Sequence, residues 1–402
     1  MNKLLKNMFV NNKRVIVRCD FNVPILNGNI LDDTKIKKSL DSINYLLKEN
    51  CKIILLSHLG RVKTEEDKLT NSLKPVKDML EKYLNKPILF AKDILSEETK
   101  NMALNLKSGE ILLLENTRFL DIPNKLESIR NDEVAKYIAS FGEVFVFDAF
   151  AVAHRDHTTV TGIAKFLPNC LGFLAEQEIN MLDKTIKNPE RPFAVMMGGA
   201  KVDDKLEIIK NLLPKCDYLL LSGGIANSFL VALNLNVGAS LKTNNPEIIK
   251  ELKALLLKYK DKFALPLDVV TVTTYDNNPI IKATNKIEIN DVIKDIGMNS
   301  IKKYKSILEK CNTIFLNGTM GIYEEKEFAN GTKEILNILS EKKDKVTIGG
   351  GDTIAAINNL GFKGQFINIS SGGGATLEYI AKGHLPGLDV IMEEDNIEIL
   401  DL

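Results

Sequence analysis

Short runs of consecutive apolar residues, rich in Val, Ile, Leu and Phe, alternate along the chain with longer stretches in which apolar residues recur every three or four positions. In the first half the runs are Arg14 to Val17, Lys52 to Leu56, Ile111 to Leu114 and Val144 to Phe147. The second half has Phe193 to Met197, Tyr218 to Leu221, Leu267 to Val272, Thr313 to Leu316, Val346 to Ile348 and Phe366 to Ile369. Between them the periodicity predicts helices such as Asp33 to Lys48, Asp132 to Phe141, Asp204 to Leu213 and Ser300 to Lys310. Strands apolar on both faces and separated by helices belong to parallel sheets covered on both sides. The pattern therefore predicts an α/β chain of two doubly wound, Rossmann-like parallel-sheet domains. Leu174 to Asn188 carries Ile179, Leu182 and Ile186 at helical spacing before Pro189 and Pro192, which predicts a hinge helix joining the domains.

Composition narrows the function classes. A length of 402 residues suits two or three domains with sizeable cores. The 53 basic and 53 acidic side chains leave no net field to gather a polyanion, so nucleic acid and membrane are not expected as partners, whereas small anions are. Cys19, Cys51, Cys170, Cys216 and Cys311 are widely spaced with no CxxC pair, which argues against a disulfide framework or a zinc site and fits a reducing cytoplasm. The N-terminus does not read as a signal peptide. The uncharged run Tyr218 to Leu241 includes Ser222, Asn227, Ser228, Asn234 and Asn236, and reads as strand, loop and helix rather than a membrane span.

Lysine outnumbers arginine 46 to 7, and all seven arginines lie in the first 191 residues. Three of them, Arg61, Arg118 and Arg155, follow apolar runs, where open α/β sheets bind ligands. The ends read Asp20-Phe21-Asn22, His58-Leu59-Gly60-Arg61, Glu115-Asn116-Thr117-Arg118 and His154-Arg155-Asp156-His157. Arginine's planar donors suit carboxylate and phosphate oxygens, so this half is expected to bind an oxyanion. In the second half the strand ends are glycine-rich: MGGAKVDDK (Met197 to Lys205), SGGIAN, NGTMGIYE, GGGDT (Gly349 to Thr353) and SSGGGAT. Such loops present backbone N–H groups and helix N-termini to phosphates, Lys201 and Lys205 add point charges, and Asp352 is placed to hold the magnesium of a nucleotide. No Gly-Lys pair and no GxGxxG occurs, which excludes the P-loop and the dinucleotide fingerprint. The tripeptide His154-Arg155-Asp156 lacks the other protein-kinase elements, and His154 with His157 lacks a third metal ligand.

Taken together these segments resemble the phosphoglycerate kinase family. RVIVRCDFNVP, DDTKI, SHLGR, ENTRF, DAFAVAHRDH, GGAKVDDK, SGGIANSF, LPLDVV, DIG, NGTMGIYE, GGGDT, SSGGGATLE and LPGLD occur in order over nearly the whole chain. The resemblance implies an N-terminal domain (residues 1–170) for 3-phosphoglycerate or 1,3-bisphosphoglycerate, a connecting helix (171–188), a C-terminal domain (189–384) for magnesium ADP or ATP, and a tail (385–402) returning to the first domain. It implies substrate contacts by Asp20, Phe21, Asn22, Lys35, His58, Leu59, Gly60, Arg61, Arg118 and Arg155, with Arg18 and His154 completing the basic patch. Nucleotide contacts fall to Lys201, Lys205, Gly297, Asn317, Glu324, Gly350, Gly351, Asp352 and Thr353, with Mg2+ at Asp352. Lys35, Lys201, Gly350 and Gly373 would face the transferred group. The family habit is a monomer acting on small molecules.

One departure bears on activity. Where the family has DDTRI, this chain has Asp32-Asp33-Thr34-Lys35-Ile36, and lysine lacks arginine's planar fork. Val62, Leu316 and Thr319 stand where the family has proline, tryptophan and proline, and Asp203 lies beside Lys201. Two expectations follow: a working glycolytic phosphoglycerate kinase with Lys35 as a serviceable substitute, or an impaired family member that binds nucleotide and serves as an interaction protein. The segment Met392 to Leu402 reads as a packed terminal strand or helix rather than a recruitment motif.

Overall fold

The computed structural model describes residues 3–392. They form two compact units, one holding the residues up to Asn180 and those from His384 on, the other Met181–Gly383. In the first, strands β1 (Arg14–Cys19), β2 (Lys52–Leu56), β3 (Leu89–Ala91), β4 (Ile111–Leu114), β5 (Val144–Asp148) and β6 (Asn169–Leu171) build one sheet in the order β3-β4-β2-β1-β5-β6. Every pairing is parallel. β1 takes a central place because Val15, Ile16 and Val17 have no exposed surface on either face. Helix α1 (Thr34–Lys48) turns Ile36, Ile43 and Leu46 inward, which leaves Lys35 on the rim of the sheet's carboxyl end.

Helix α2 (Phe173–Ile186) leads from the first unit into the second. Its start is tied to the first sheet by Asp148 at the end of β5, whose Oδ1 accepts the Ala175 N–H at 3.0 Å. Gly172 is there because a side chain would not fit: a Cβ would lie 2.4 Å from the Asp148 carboxyl carbon. Ser42 of α1 accepts the Phe173 N–H at 2.9 Å, so α1 and α2 share one polar joint. Burial pushes the Asp148 carboxyl up to about 6.

The second unit repeats the parallel plan with an insertion. Strands β7 (Phe193–Met197), β8 (Tyr218–Leu221) and β9 (Phe263–Ala264) are followed by β10 (Asp268–Thr273), β11 (Asp276–Ala283) and β12 (Asp291–Ile296), then β13 (Thr313–Asn317), β14 (Val346–Gly349) and β15 (Asn368–Ile369). The main sheet runs β9-β8-β7-β13-β14-β15, all parallel, so the strand order reverses between β7 and β13. β10, β11 and β12 form a separate antiparallel sheet in the order β11-β10-β12. This corrects the expectation for Leu267 to Val272, read as a parallel strand. Val269 and Val272 are buried as in a parallel strand, but β11 opposite is exposed along nearly its whole length, and a two-residue strand, β9, takes the edge of the parallel sheet instead.

Besides the helix Pro246–Lys258, the second half carries α3 (Leu206–Leu212), α4 (Gly223–Ala232), α5 (Met298–Leu308), α6 (Asn330–Ser340), α7 (Gly351–Asn359) and α8 (Gly374–Lys382). Lys201 and Lys205 precede α3 rather than lying within it, since Asp203–Lys205 forms a 3-10 turn. The chain then returns to the first unit as α9 (Pro386–Met392), where Gly387 N–H donates to the Ala153 carbonyl at 2.8 Å and lies against Val160. Residues 393–402 of the expected tail lie outside the described residues. All five cysteines are buried thiols, and among the described residues no helix is long and apolar enough to cross a membrane.

Candidate functional site

The loops after β1, β2 and β4 are bonded to one another before any ligand is considered. Phe21 N–H donates to Ser57 Oγ at 2.8 Å, Gly60 N–H to Asn22 Oδ1 at 2.8 Å and Leu59 N–H to Asn116 Oδ1 at 3.0 Å. Gly60 has φ +61, and a Cβ there would fall 2.1 Å from Asn71 Oδ1. Phe21 and Leu59 put their side chains into the core, so only backbone groups of these two can face a ligand.

A cluster of cations crowns these loops. Arg18, Arg155, Arg118 and Lys35 all act on the buried His58, which burial first and these charges second push well below its usual value. Arg61 in turn lies close enough to Arg155 to add to its depression, which is led by burial. The chain's three other arginines are occupied elsewhere in ion pairs: Arg14 with Glu143, Arg130 with Asp132 and Asp156, Arg191 with Asp217. Arg118 reaches Ser128 Oγ at 3.0 Å and Asp121 at 3.3 Å, while its buried Nε has no hydrogen-bond partner in the protein. Lys35 Nζ lies 2.7 Å from Asp20 Oδ2.

Arg18 is set deeper, with no more than 1% of its surface exposed. Its Nε donates to Thr159 Oγ1 at 2.9 Å, and Thr159 donates to the fully buried Glu127 through N–H at 3.1 Å and Oγ1 at 2.7 Å. Glu127 and Thr159 are the site residues that sequence reasoning missed; Glu127 sits in a polar stretch, NKLESIRND, that looks like surface. Arg155 Nε contacts His154 Nε2 at 3.4 Å.

His157 reports this field. Burial foremost, then Arg118, Arg155 and Arg18, lowers it to about 4. Its NMR titration midpoint is therefore expected near pH 4, and Arg118→Ala should bring it up toward the ordinary value of about 6.5 by removing a like charge. A midpoint left near 4 in that variant would mean that the Arg118 charge does not contribute to it.

In the second unit the glycine loops gather at the strand reversal, where crevices open in doubly wound sheets. Gly198 after β7 and Gly318 after β13 touch: a Cβ on Gly198 would lie 2.0 Å from the Thr319 carbonyl oxygen. A cavity of about 400 Å³ lies beside them, lined by Lys201, Lys205, Asn317, Gly350 to Thr353 and Gly373 among others. Asn317 Nδ2 donates to the Gly349 carbonyl at 3.0 Å and Thr353 Oγ1 accepts the Gly318 N–H at 2.7 Å, so these polar groups brace the loops. Gly351 and Gly374, the first residues of α7 and α8, have no protein atom within 4 Å of where a Cβ would stand. Neither packing nor a positive φ requires glycine there, whereas a ligand approaching the helix N-termini would. Lys205 is half-buried, which lowers it, while Asp204 and Asp352 act in the opposite sense.

A second cavity of about 480 Å³ shares Gly199, Ala200, Thr319 and Asp352 with the first. Its walls are Leu241, Pro266, Val269, Ile296 and the run Met320 to Glu324. Gly297 lines neither cavity; a Cβ on it would lie 2.4 Å from the Asp268 carboxyl carbon, at the start of α5. Among the described residues no three His, Cys, Asp or Glu side chains converge as a metal cage. Asp352, lining both cavities, fits a magnesium ion that takes most of its oxygens from phosphates and water.

A family model described as phosphoglycerate kinase matches residues 5–383. The chain belongs to the phosphoglycerate kinase family. Phosphoglycerate kinase of Macrococcus caseolyticus is 41% identical over 98% of this chain and 99% of its own. That of Fusobacterium nucleatum is also 41% identical, over 97% and 99%. The structure of phosphoglycerate kinase from Coxiella burnetii superposes with a TM-score of 0.86 at 33% identity, covering 97% of this chain and 99% of that one. The phosphoglycerate kinase of Pyrococcus horikoshii gives 0.80 at 29% identity, covering 97% and 98%. Two six-stranded parallel sheets are thus the fold of the family's solved phosphoglycerate kinases as well as of this chain.

Proposed function

We propose that the protein is a working phosphoglycerate kinase of glycolysis, transferring a phosphoryl group reversibly between 1,3-bisphosphoglycerate and ADP to give 3-phosphoglycerate and ATP. The observation that carries this reading is the division of labour between the units: surplus cations over the first sheet, and glycine-backed helix N-termini beside an apolar cavity over the second. Arg61, Arg118 and Arg155, with Asp20, Asn22, His58 and Gly60, would hold the phosphoglycerate, their planar donors matching carboxylate and phosphate. Lys201, Lys205 and Gly350 to Thr353 would hold the nucleotide phosphates, Asn317 and Glu324 the ribose, and the apolar cavity the base.

Phosphoryl transfer of this kind leaves the protein no covalent work. Lys35, Lys201 and the N–H groups around Gly350 and Gly373 would point fixed positive charge at the three equatorial oxygens, where the transition state concentrates its charge. Asp352 would hold a magnesium ion bound with the nucleotide, and the ion would supply charge neutralisation for the phosphates. Because an acyl phosphate is lost to water, transfer would require the substrates to be shielded from solvent. The family habit supports a cytoplasmic monomer.

The test is Arg155→Ala. Affinity for 3-phosphoglycerate should fall by about tenfold or more, the loss of a charged hydrogen-bonding partner, while ADP affinity by calorimetry stays nearly unchanged. Equal loss of both would overturn the assignment of ligands to units.

A further inference from the structure

The cavity assigned above to the base is closed on one side by Gly321 to Glu324, a loop whose own backbone bonds are two tight turns, Tyr323 N–H to the Gly321 carbonyl at 3.0 Å and Glu325 N–H to the Ile322 carbonyl at 3.1 Å. What holds it lies on β12. There the register with β10 slips, since Val270 faces Asp295 but Thr271 faces Ile293, so Lys294 is an extra, bulged residue. The bulge turns the Lys294 carbonyl toward the loop, where it accepts the Ile322 N–H at 3.0 Å. Asp295, the next residue, is 1% exposed. Its Oδ2 accepts the Gly331 N–H of α6 at 2.7 Å and its Oδ1 the Ile296 N–H at 2.8 Å, so both oxygens act as acceptors. Two glycines give it room: a Cβ on Gly321 would lie 2.3 Å, and one on Gly331 2.2 Å, from Asp295 Oδ1. Thr332 Oγ1 adds a bond from the Met320 N–H at 3.0 Å.

We infer that Asp295 is a positioning residue for the nucleotide: by fixing the start of α6 and the Gly321 turn it sets the wall against which the adenosine end rests. A buried carboxylate is expensive, and burial pushes this one up to about 7. Here it joins β12 and α6 at one point beside the Gly321 turn, while the more exposed Lys294 ties β12 to the loop after β13 through Glu325 at 3.4 Å. The inference rests on reading the cavity as the nucleotide site.

The experiment is steady-state kinetics on the full chain with Asp295→Asn, in which one acceptor becomes an amide facing an N–H. KM for ADP should rise about tenfold, the scale of one lost buried acceptor, with kcat and KM for 1,3-bisphosphoglycerate within about twofold. Gly331→Ala, which crowds the carboxylate from outside the cavity, should do the same. A folded variant of either kind with unchanged KM for ADP overturns the inference, as does an equal loss in kcat or in both KM values. Should both variants fail to fold, hydrogen exchange on the unaltered chain decides: the Ile322 and Gly331 amides must exchange slowly without nucleotide, and fast exchange refutes the anchor. Calorimetry of ADP with the unaltered chain and Lys205→Ala keeps the two readings apart. If Lys205→Ala binds ADP as well as the unaltered chain, the cavity assignment fails; if only Lys205→Ala weakens it, Asp295 alone is misassigned.

Discussion

Lys35→Met should lower the rate of ATP formation from 1,3-bisphosphoglycerate and magnesium ADP by roughly 10²- to 10³-fold, the cost of losing one donor to the transferring group. Two effects add. The ammonium disappears from the edge of the cation cluster, and Asp20, whose Oδ2 now holds Lys35 at 2.7 Å, is left as an unbalanced carboxylate where an anion must bind. Lys35→Arg separates charge from geometry. A guanidinium can meet Asp20 and a phosphoryl oxygen at once, so the family's residue should be accepted, with a rate within about tenfold of the unaltered chain if a single ammonium already suffices. Were Lys35→Met to keep more than a tenth of the rate, Lys35 would not face the transferred group. Were the unaltered chain silent and Lys35→Arg active, the impaired alternative would take over, and the search would move to what the chain binds.

The parts of this arrangement that could be read in the sequence share a physical reason. In a doubly wound sheet the apolar run and the chemistry after it are adjacent in the chain, so Asp20, His58, Arg61 and Arg118 announce themselves by where the run ends. The seven arginines were legible as a group, yet only the structure sorts them: Arg14, Arg130 and Arg191 pair with carboxylates elsewhere, while Arg18, Arg118 and Arg155, together with Lys35, act on His58, even though Arg118 and Lys35 also pair with Asp121 and Asp20. Glu127 could not be found this way, because its burial depends on Thr159 and Arg18, far from it in sequence. The antiparallel sheet was hidden for a related reason. DNNPIIKA, which becomes β11, has proline and exposed isoleucines and owes its strand state to β10 alone. Gly297 shows the limit of motif reading: glycine is required there by Asp268, not by either cavity wall.

That contrast between glycines supports the second large effect. Gly374→Val should leave the fold intact and cut ADP affinity by about a hundredfold, or about 2.8 kcal/mol at 1.4 kcal/mol per decade. The protein offers no objection to a side chain at this position, since nothing lies within 4 Å of the Cβ, and valine is the better helix former of the two. Any loss must come from what approaches from outside: three carbons at the N-terminus of α8 would stand where, on the proposed reading, phosphate oxygens would meet the helix end. Gly297→Ala should behave in the opposite way, lowering the melting temperature because its Cβ would meet the Asp268 carboxyl group. Thermal melts and ADP calorimetry on the pair discriminate sharply. If folded Gly374→Val binds ADP within threefold of the unaltered chain, no phosphate comes to this helix end, and the open space around Gly374 has some other cause. Affinity for 3-phosphoglycerate should be untouched in the same variant, because the cations that would bind it belong to the other unit.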